Sequence, residues 1–319
     1  MGIAHYIKEI GRGKDGARSL SREQAADLMG QVLDGAVSDL EIGGFCLAMR
    51  IKGETPDEMA GFLDAAHARL HKIHFDCPVV VLPSYNGARK LPVLTPLLAA
   101  LLAREGAKNG FAVLMHGAAT EDKRVTSLEV LQNINFKENL TDVSVIWSTI
   151  AINNIVNTIN KGHLAYAPTA VLSSGLMRLL DVRRAVGLRN SAHSMVKLMN
   201  PVDSDQALII SSYTHPEYLQ SMTATFSLTG ARALLLRGTE GESVADARRA
   251  PQMDAFAHGV ATRLQEAQSG SLASLPDLPK DTSAAGTARY TEAVLNGEKP
   301  VPAPIAQQVE HILRLIRHM

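Results

Sequence analysis

The hydrophobic period of this chain changes once, near residue 78, and that change restricts the folds open to it. Before it, apolar residues recur at intervals of three and four. Ser21-Arg22-Glu23-Gln24 reads as a capping box, the hydroxyl taking the third helical amide and Gln24 reaching back. Leu28, Val32 and Leu33 then mark one helical face, and Gly35 suits a stop. A second helix opens at Asp39, runs through Phe45-Cys46-Leu47-Ala48-Met49-Arg50 and ends near Gly53. Thr55-Pro56-Asp57-Glu58 supplies a third start, with Thr as cap and Pro in the first turn, followed by Met59, Phe62, Leu63 and Ala66 on one face.

After residue 78 the pattern becomes short continuous apolar runs, the mark of strands buried on both faces. These are Pro78-Val79-Val80-Val81-Leu82-Pro83, Phe111-Ala112-Val113-Leu114-Met115, Val143-Ser144-Val145-Ile146-Trp147, Gln206-Ala207-Leu208-Ile209-Ile210 and Arg232-Ala233-Leu234-Leu235-Leu236. Helical stretches separate most of them. One is capped by Thr95-Pro96 and passes Leu97, Leu98, Leu101 and Leu102 to an expected stop at Gly106. Residues 239–285 are rich in Ala, Ser, Gly, Asp and Pro and read as loop, with one helix over 254–266; residues 304–319 read as an amphipathic helix with a basic tip. No tandem repeat is visible. The expectation is an α/β protein: a small helical domain over 1–76, then a large α/β domain over 77–319 with a mainly parallel central sheet.

Composition narrows the class. The 319 residues hold 32 Lys and Arg against 32 Asp and Glu, so any anion site must come from local clustering. Apolar residues at 46% and charged residues at 20% exclude whole-chain disorder. Cys46 and Cys77 alone cannot make a disulfide scaffold. Met1-Gly2-Ile3-Ala4-His5-Tyr6 lacks a signal-like apolar core, and no apolar run approaches the roughly 20 residues of a membrane span. A cytoplasmic protein with no membrane partner is expected.

Three clusters can carry anion chemistry. Ligands of open parallel sheets bind at the carboxyl ends of strands, so the loop after the first strand comes first. It reads Pro83-Ser84-Tyr85-Asn86-Gly87-Ala88-Arg89-Lys90. Amides around Ser84, Asn86 and Gly87, with Arg89 and Lys90, could hold a phosphate, although no GxxxxGK[ST] is present. The same residues also suit an ordinary strand-to-helix turn with solvated cations. The second cluster holds Arg178, Arg183, Arg184, Arg189, His193 and Lys197, opposed only by Asp181. Arg189-Asn190-Ser191 suggests a helix start capped by Asn190 or Ser191, which puts Arg189 beside a positive helix end and His193 and Lys197 on one face. A solvated basic face is the competing reading. The third holds Lys8, Arg12, Lys14, Arg18 and Arg22, with Gly11-Arg12-Gly13-Lys14 at its centre; a flexible solubilising turn explains it equally.

Other chemistry finds less support. His67, His71 and His74 precede Cys77, but no HExxH is present and zinc is not expected. Glu240 and Glu242 flank Gly241, where carboxylates could meet Mg²⁺, yet one such pair is more often a solvated turn. No GxSxG elbow and no telling Cys, His and Asn spacing point to a nucleophile. No catalytic residue, cofactor or metal is assigned.

Over nearly its whole length the chain resembles anthranilate phosphoribosyltransferase and the glycosyl transferase family 3 proteins. The helical opening, the stretch from Arg189 to Asn200-Pro201, and Leu236-Arg237-Gly238-Thr239-Glu240-Gly241 carry the likeness. It implies a small helical domain before a large α/β domain, and a homodimer joined through the helical part. The closer resemblance is to the YbiB-type branch, whose members bind nucleic acid. It rests on Ile7-Lys8-Glu9-Ile10-Gly11-Arg12-Gly13-Lys14, the 83–90 loop, Arg189-Asn190-Ser191-Ala192-His193 and His215-Pro216-Glu217-Tyr218.

The departures from the transferase pattern point the same way. Where the transferases have GTGGD, this chain has Ser84-Tyr85-Asn86-Gly87-Ala88. Of KHGNR and its serine pair, His116-Gly117 remains and Ala118-Ala119-Thr120 follows. In the segment RTxFNxLGPLxNP, Arg189 and Asn200-Pro201 are kept but Val196-Lys197 replaces Gly-Pro. The Mg²⁺-holding Asp-Glu pair that should follow HGxxGL is lost or displaced, since Gly241 is followed by Glu242-Ser243. Phosphoribosyl transfer needs a held diphosphate and a metal to neutralise it. The resemblance therefore implies a cytoplasmic homodimer without that activity. It would bind DNA or RNA, single strands included, with little sequence preference. Lys197 is the leading contact, with Arg189, His193, Arg183, Arg184, Arg89, Lys90, Arg12, Lys14 and Arg18 along a basic groove. Tyr85 and Tyr218 are the candidates for base stacking. The alternative is a diverged phosphoribosyltransferase or nucleoside-phosphorylase-like enzyme using Arg189, Asn86 and His116.

Overall fold

The computed structural model describes residues 2–13, 15–136, 146–149, 162–272 and 275–319. Four helices come first: α1 (Ala4–Ile10), α2 (Arg22–Leu33), α3 (Asp39–Lys52) and α4 (Pro56–His67). The last three each open on a complete capping box, at Ser21/Gln24, Ser38/Glu41 and Thr55/Glu58. Local sequence thus fixes their starts.

An eight-stranded sheet follows: β1 (Val79–Ser84), β2 (Ala112–Gly117), β3 (Ile146–Thr149), β4 (His163–Pro168), β5 (Ala207–Tyr213), β6 (Ala233–Arg237), β7 (Met253–Ala257) and β8 (Val260–Gln265). Its spatial order is β3-β4-β2-β1-β5-β6-β7-β8, parallel through β6 and antiparallel beyond. The connecting helices are α5 (Thr95–Asn109), α6 (Ser127–Asn133), α7 (Thr169–Leu172), α8 (Ser174–Val186), α9 (Ala192–Met195) and α10 (Pro216–Thr229), with α11 (Ala284–Leu295) and α12 (Ala303–Ile316) closing the chain.

The apolar runs are continuous because both faces of the sheet are covered. Val79 and Val81 join a core shared with α1–α4, α8, α9 and α10, while Val80 and Leu82 join one shared with α5, α6, α11 and α12. Ala112 and Leu114 alternate with Val113 and Met115 in the same way. The helical opening therefore shares one core with a face of the sheet.

Several sequence expectations need correction. Residues 254–266 form the β7–β8 hairpin instead of a helix. The residues between its strands are His258 (φ 51°) and Gly259 (φ 82°), the left-handed pair that a tight hairpin turn needs. The 106 stop is also wrong: α5 runs to Asn109 and ends on left-handed Gly110. Gly106 is small for packing, since a Cβ there would lie 2.4 Å from the Phe111 carbonyl. Strand β4 has no counterpart among the runs read from the sequence. Of the strand expected over 143–147, Ile146 and Trp147 fall in β3 and the rest lies outside the described residues.

Candidate functional site

Strands β1 and β5 are neighbours, yet the chain leaves β1 for β2 on one side and returns to β5 on the other. This is a topological switch point, and the crevice beyond its carboxyl ends is where such folds place ligands. The 84–91 loop leaves β1 at that crevice, and the short 3₁₀ turn Thr239–Gly241 leaves β6 beside it.

The donors of the loop are already engaged. Glu242, 1% exposed, accepts from the amides of Asn86 (2.9 Å) and Gly87 (2.8 Å) through Oε1. Its Oε2 accepts from Ser84 Oγ (2.5 Å) and Thr95 Oγ1 (3.0 Å). Glu240 Oε1 accepts from the amides of Lys90 (2.8 Å) and Leu91 (2.9 Å), and its carboxylate also faces the Arg89 amide at 3.2 Å. Arg124 Nη1 donates to Glu240 Oε2 at 3.3 Å. Two carboxylates from one turn thus stand where Ser84, Asn86 and Gly87 were expected to take phosphate. The turn carries backbone strain, with Glu240 at φ 50°, a left-handed conformation that costs a non-glycine residue on the order of 1 kcal/mol.

The carbonyl of Gly241 joins this turn to the second cluster. It accepts from Asn86 Nδ2, Lys197 Nζ and Ser212 Oγ, each at 2.9 Å. Gly241 has φ 89°, and a Cβ there would lie 2.0 Å from Asn86 Nδ2, so no other residue fits. Lys197 Nζ also donates to the Ser212 carbonyl at 3.2 Å and faces Ser212 Oγ at 3.4 Å. Its protons are therefore directed at the protein, and the side chain acts as a brace as well as a charge. Burial pushes its pKa down to about 8, Arg189 adds to that, and Glu242 opposes it.

A cavity of about 520 Å³ opens between the end of α3 and the α9–β5–α10 region. Arg189, His193, Lys197 and Tyr218 line it, with Glu54 and Glu217 as its carboxylates. Glu54 accepts from Ser191 Oγ at 2.5 Å. Half-buried Arg189 has no hydrogen-bond or ion-pair partner among the described residues. Burial lowers its pKa, and Arg183 and Arg124 add to that. His193 is pushed down to about 3 by burial and by Arg189 and Arg183, so it is neutral near pH 7; its Nε2 is buried with no partner among the described residues. Ser191 is the N-cap of α9 and its side chain makes no capping bond; Asn190 Oδ1, one residue earlier, accepts from the Ala192 amide at 3.1 Å. Helix α9 ends at Met195, so Lys197 lies beyond it, yet both His193 and Lys197 reach the cavity.

The remaining cations divide sharply. Arg183 pairs with Glu121 at 3.0 Å, and Arg184 pairs with Asp122 at 2.6 Å and Asp181 at 3.3 Å. Arg12 and Arg18 both meet Glu9, at 2.6 and 3.8 Å, and neither lines the cavity. Lys14 lies outside the described residues. Arg89 and Lys90 are exposed, and their side chains have no partner among the described residues. Tyr85 is not available to stack a base: it is 4% exposed, bonded to His116 Nδ1 at 2.7 Å and accepts from Thr169 Oγ1 at 3.0 Å. Tyr218 remains at the cavity wall beside His215. His67 ends α4 and accepts from the Asn200 amide at 2.9 Å, while His74 pairs with Asp76.

A helical layer on a largely parallel sheet, with a strand-to-helix loop at the switch point, is the architecture of a phosphoribosyltransferase-like class of proteins. Residues 4–69 match the helical bundle domain of the glycosyl transferase family. Among curated proteins, the uncharacterized protein YbiB of Escherichia coli K12 is 37% identical over 314 residues, 97% of this chain and 92% of that protein. The anthranilate phosphoribosyltransferase of Symbiobacterium thermophilum is 26% identical, over 92% of this chain and 81% of the enzyme. The fold is that of anthranilate phosphoribosyltransferase from Thermus thermophilus (TM-score 0.60, 19% identity, 98% of this chain and 99% of that one). It also matches the enzyme from Saccharomyces cerevisiae in complex with PRPP and Mg (TM-score 0.65, 12% identity, 99% and 89%). The chain belongs to the anthranilate phosphoribosyltransferase-like family.

The Mg²⁺ that this family implies does not fit the residues present. A magnesium site needs carboxylate oxygens free to face the ion. Those of Glu242 face two amides and two hydroxyls, and those of Glu240 face loop amides and Arg124. Among the described residues no three His, Cys, Asp or Glu side chains are grouped to hold a metal. Sequence reasoning named Arg189 but missed that its side chain has no partner among the described residues, and it missed the bracing role of Glu242. Glu242 does carry a sequence signal, as a charge in a glycine turn where the transferase pattern has Leu.

Proposed function

We propose that this protein binds nucleic acid without sequence preference, as a homodimer, and does not transfer phosphoribosyl groups. The observation that carries the reading is the double occupation of the loop by Glu240 and Glu242. It removes the amide cradle for a small diphosphate, while the side chains of Arg189, Arg89 and Lys90 have no partner among the described residues at the same end of the sheet. Cations at the mouth of a crevice suit a polyanion, whose binding draws on phosphate neutralisation and counterion release. Arg189 takes the first place among contacts, because the protons of Lys197 are held internally; Lys197 contributes charge and holds the turn. Tyr218 offers the cavity an aromatic face for an unpaired base. The resemblance to the YbiB-type branch supports the same reading.

Self-association is supported by α3. Leu40, Leu47 and Ile51 are 86%, 43% and 69% exposed and fall on one face of this helix. Such a stripe on a surface helix marks an interaction face, and it continues the helical part through which the resembling transferases dimerise.

The test is fluorescence anisotropy of a labelled single-stranded oligonucleotide across a salt series. Binding should weaken with salt by a slope of about 0.7 per phosphate neutralised. Arg189→Ala should lower affinity about tenfold and make the slope shallower by about 0.7 to 1. No binding at low salt would overturn the reading.

A further inference from the structure

A second cavity, of about 620 Å³, is lined in part by Thr239 and Glu240 of the Thr239–Gly241 turn. It shares Tyr213 and Thr214 with the first, so the two meet over the end of β5. Leu91, Pro216, Leu219 and Pro251 give it an apolar wall, and Arg237, Arg248 and Arg249 give it charge. Its two carboxylates are both engaged. Glu240 faces the loop amides and Arg124, and Asp246 holds Arg248 at 2.6 Å. Arg237, the last residue of β6, has no hydrogen-bond or ion-pair partner among the described residues. Arg249 donates to the Gln268 carbonyl at 3.1 Å and feels the Asp246 carboxylate only at longer range, with no ion pair among the described residues. Two guanidinium groups are thus left to face the cavity with no free anion in its wall to receive them.

We propose that this cavity is a second nucleotide subsite, taking one phosphorylated nucleoside unit of the bound strand. The inference rests on the nucleic-acid reading above and extends it. The volume is in the range of ligand pockets, about 300–1,000 Å³. A base lies against Leu91, Pro216 and Leu219, and its phosphate meets the planar forks of Arg237 and Arg249, which match phosphate oxygens in pairs. The strand then runs from the Arg189 cavity across Thr214 into this one, with Arg89 and Lys90 just before Leu91 at its edge. Neither Arg237 nor Arg249 belongs to the three basic clusters of the sequence.

The test compares wild type, Arg189→Ala and the Arg237→Ala/Arg249→Ala double variant, using a labelled mixed-sequence single-stranded 15-mer of about the upper single-fold site size. Two lost contacts at about 0.7 each should make the double variant's salt slope shallower by about 1.4 and its affinity at least tenfold weaker. Adenosine monophosphate should compete with the 15-mer on the wild type better than inorganic phosphate does, and this advantage should vanish in the double variant. If the double variant binds like wild type while Arg189→Ala is weakened, the second subsite is refuted and the nucleic-acid reading stands. Equal competition by phosphate and the mononucleotide refutes the base-binding wall. A wild type that does not bind at low salt overturns both. Melting curves establish that the variant is folded; Arg237→Gln alone, at an exposed position whose side chain has no partner among the described residues, serves if it is not, with an expected slope change of about 0.7.

Discussion

Glu242 brings a carboxylate to a place where 1% of the residue reaches solvent, and two amides and two hydroxyls receive it. Removing it would leave those donors buried and unpaired, and each orphaned group costs about 1–3 kcal/mol. Glu242→Ala should therefore lose about 3 kcal/mol or more in urea unfolding; a variant as stable as wild type would show that the loop is held by something else. Lys197 gives a second prediction, in pH. Its pKa is about 8 in the folded chain against 10.5 ordinarily. Below the lower value both states are protonated and stability does not vary through this group. Between the two values the unfolded chain binds more protons, so stability rises with pH across that window. Oligonucleotide affinity should fall over the lower part of the same rise, as a positive charge leaves the site. Lys197→Met should flatten both profiles, measured by denaturation and by anisotropy on either side of the folded pKa. Both residues were visible in the sequence as departures from the transferase pattern. Their connection was not, because the Gly241 carbonyl that Lys197 holds lies 44 positions along the chain and the Asn86 amide lies 156 positions from Glu242.

Helices whose starts are written locally were legible as elements. Ser21/Gln24 and Thr55/Glu58 satisfy amides within one turn and need no distant partner. The β7–β8 hairpin was not legible, because Ala, Phe, Val and Leu near residues 254–266 suit either period until pairing with β6 selects the extended form. Helix α3 shows the same division. Its apolar residues announced a helix, but only the packing of its other side shows that Leu40, Leu47 and Ile51 point outward. If this stripe joins two copies, Ile51→Asp should shift the protein toward monomer in sedimentation at micromolar concentration, with unchanged helical content by circular dichroism and a melting temperature that no longer rises with protein concentration. A dimer that survives the substitution would place the contact elsewhere.

At the scale of the molecule, one sheet separates two cores, and the crevice lies where its winding reverses. The yeast enzyme's structure is described as a complex with PRPP and Mg, and what this chain shares with it is the fold alone. A ligand at 100 times its dissociation constant stabilises a protein by about 2.7 kcal/mol. With the loop filled by its own carboxylates, millimolar phosphoribosyl diphosphate with Mg²⁺ should leave the melting temperature unchanged; a clear rise would return the diverged-enzyme reading. The sequence by itself determined the helical opening and the parallel sheet, because capping, period and apolar continuity act over a few residues and recur along the chain; the resemblance to the family rested on motifs such as the Arg189 to Pro201 segment. Only the tertiary structure decided which charges are already paired. Arg183, Arg184, Arg12 and Arg18 meet carboxylates and, among the described residues, Arg189 and Arg237 do not. Pairing is set by which elements the sheet brings within a few ångströms, and charge spacing along the chain carries no record of that distance.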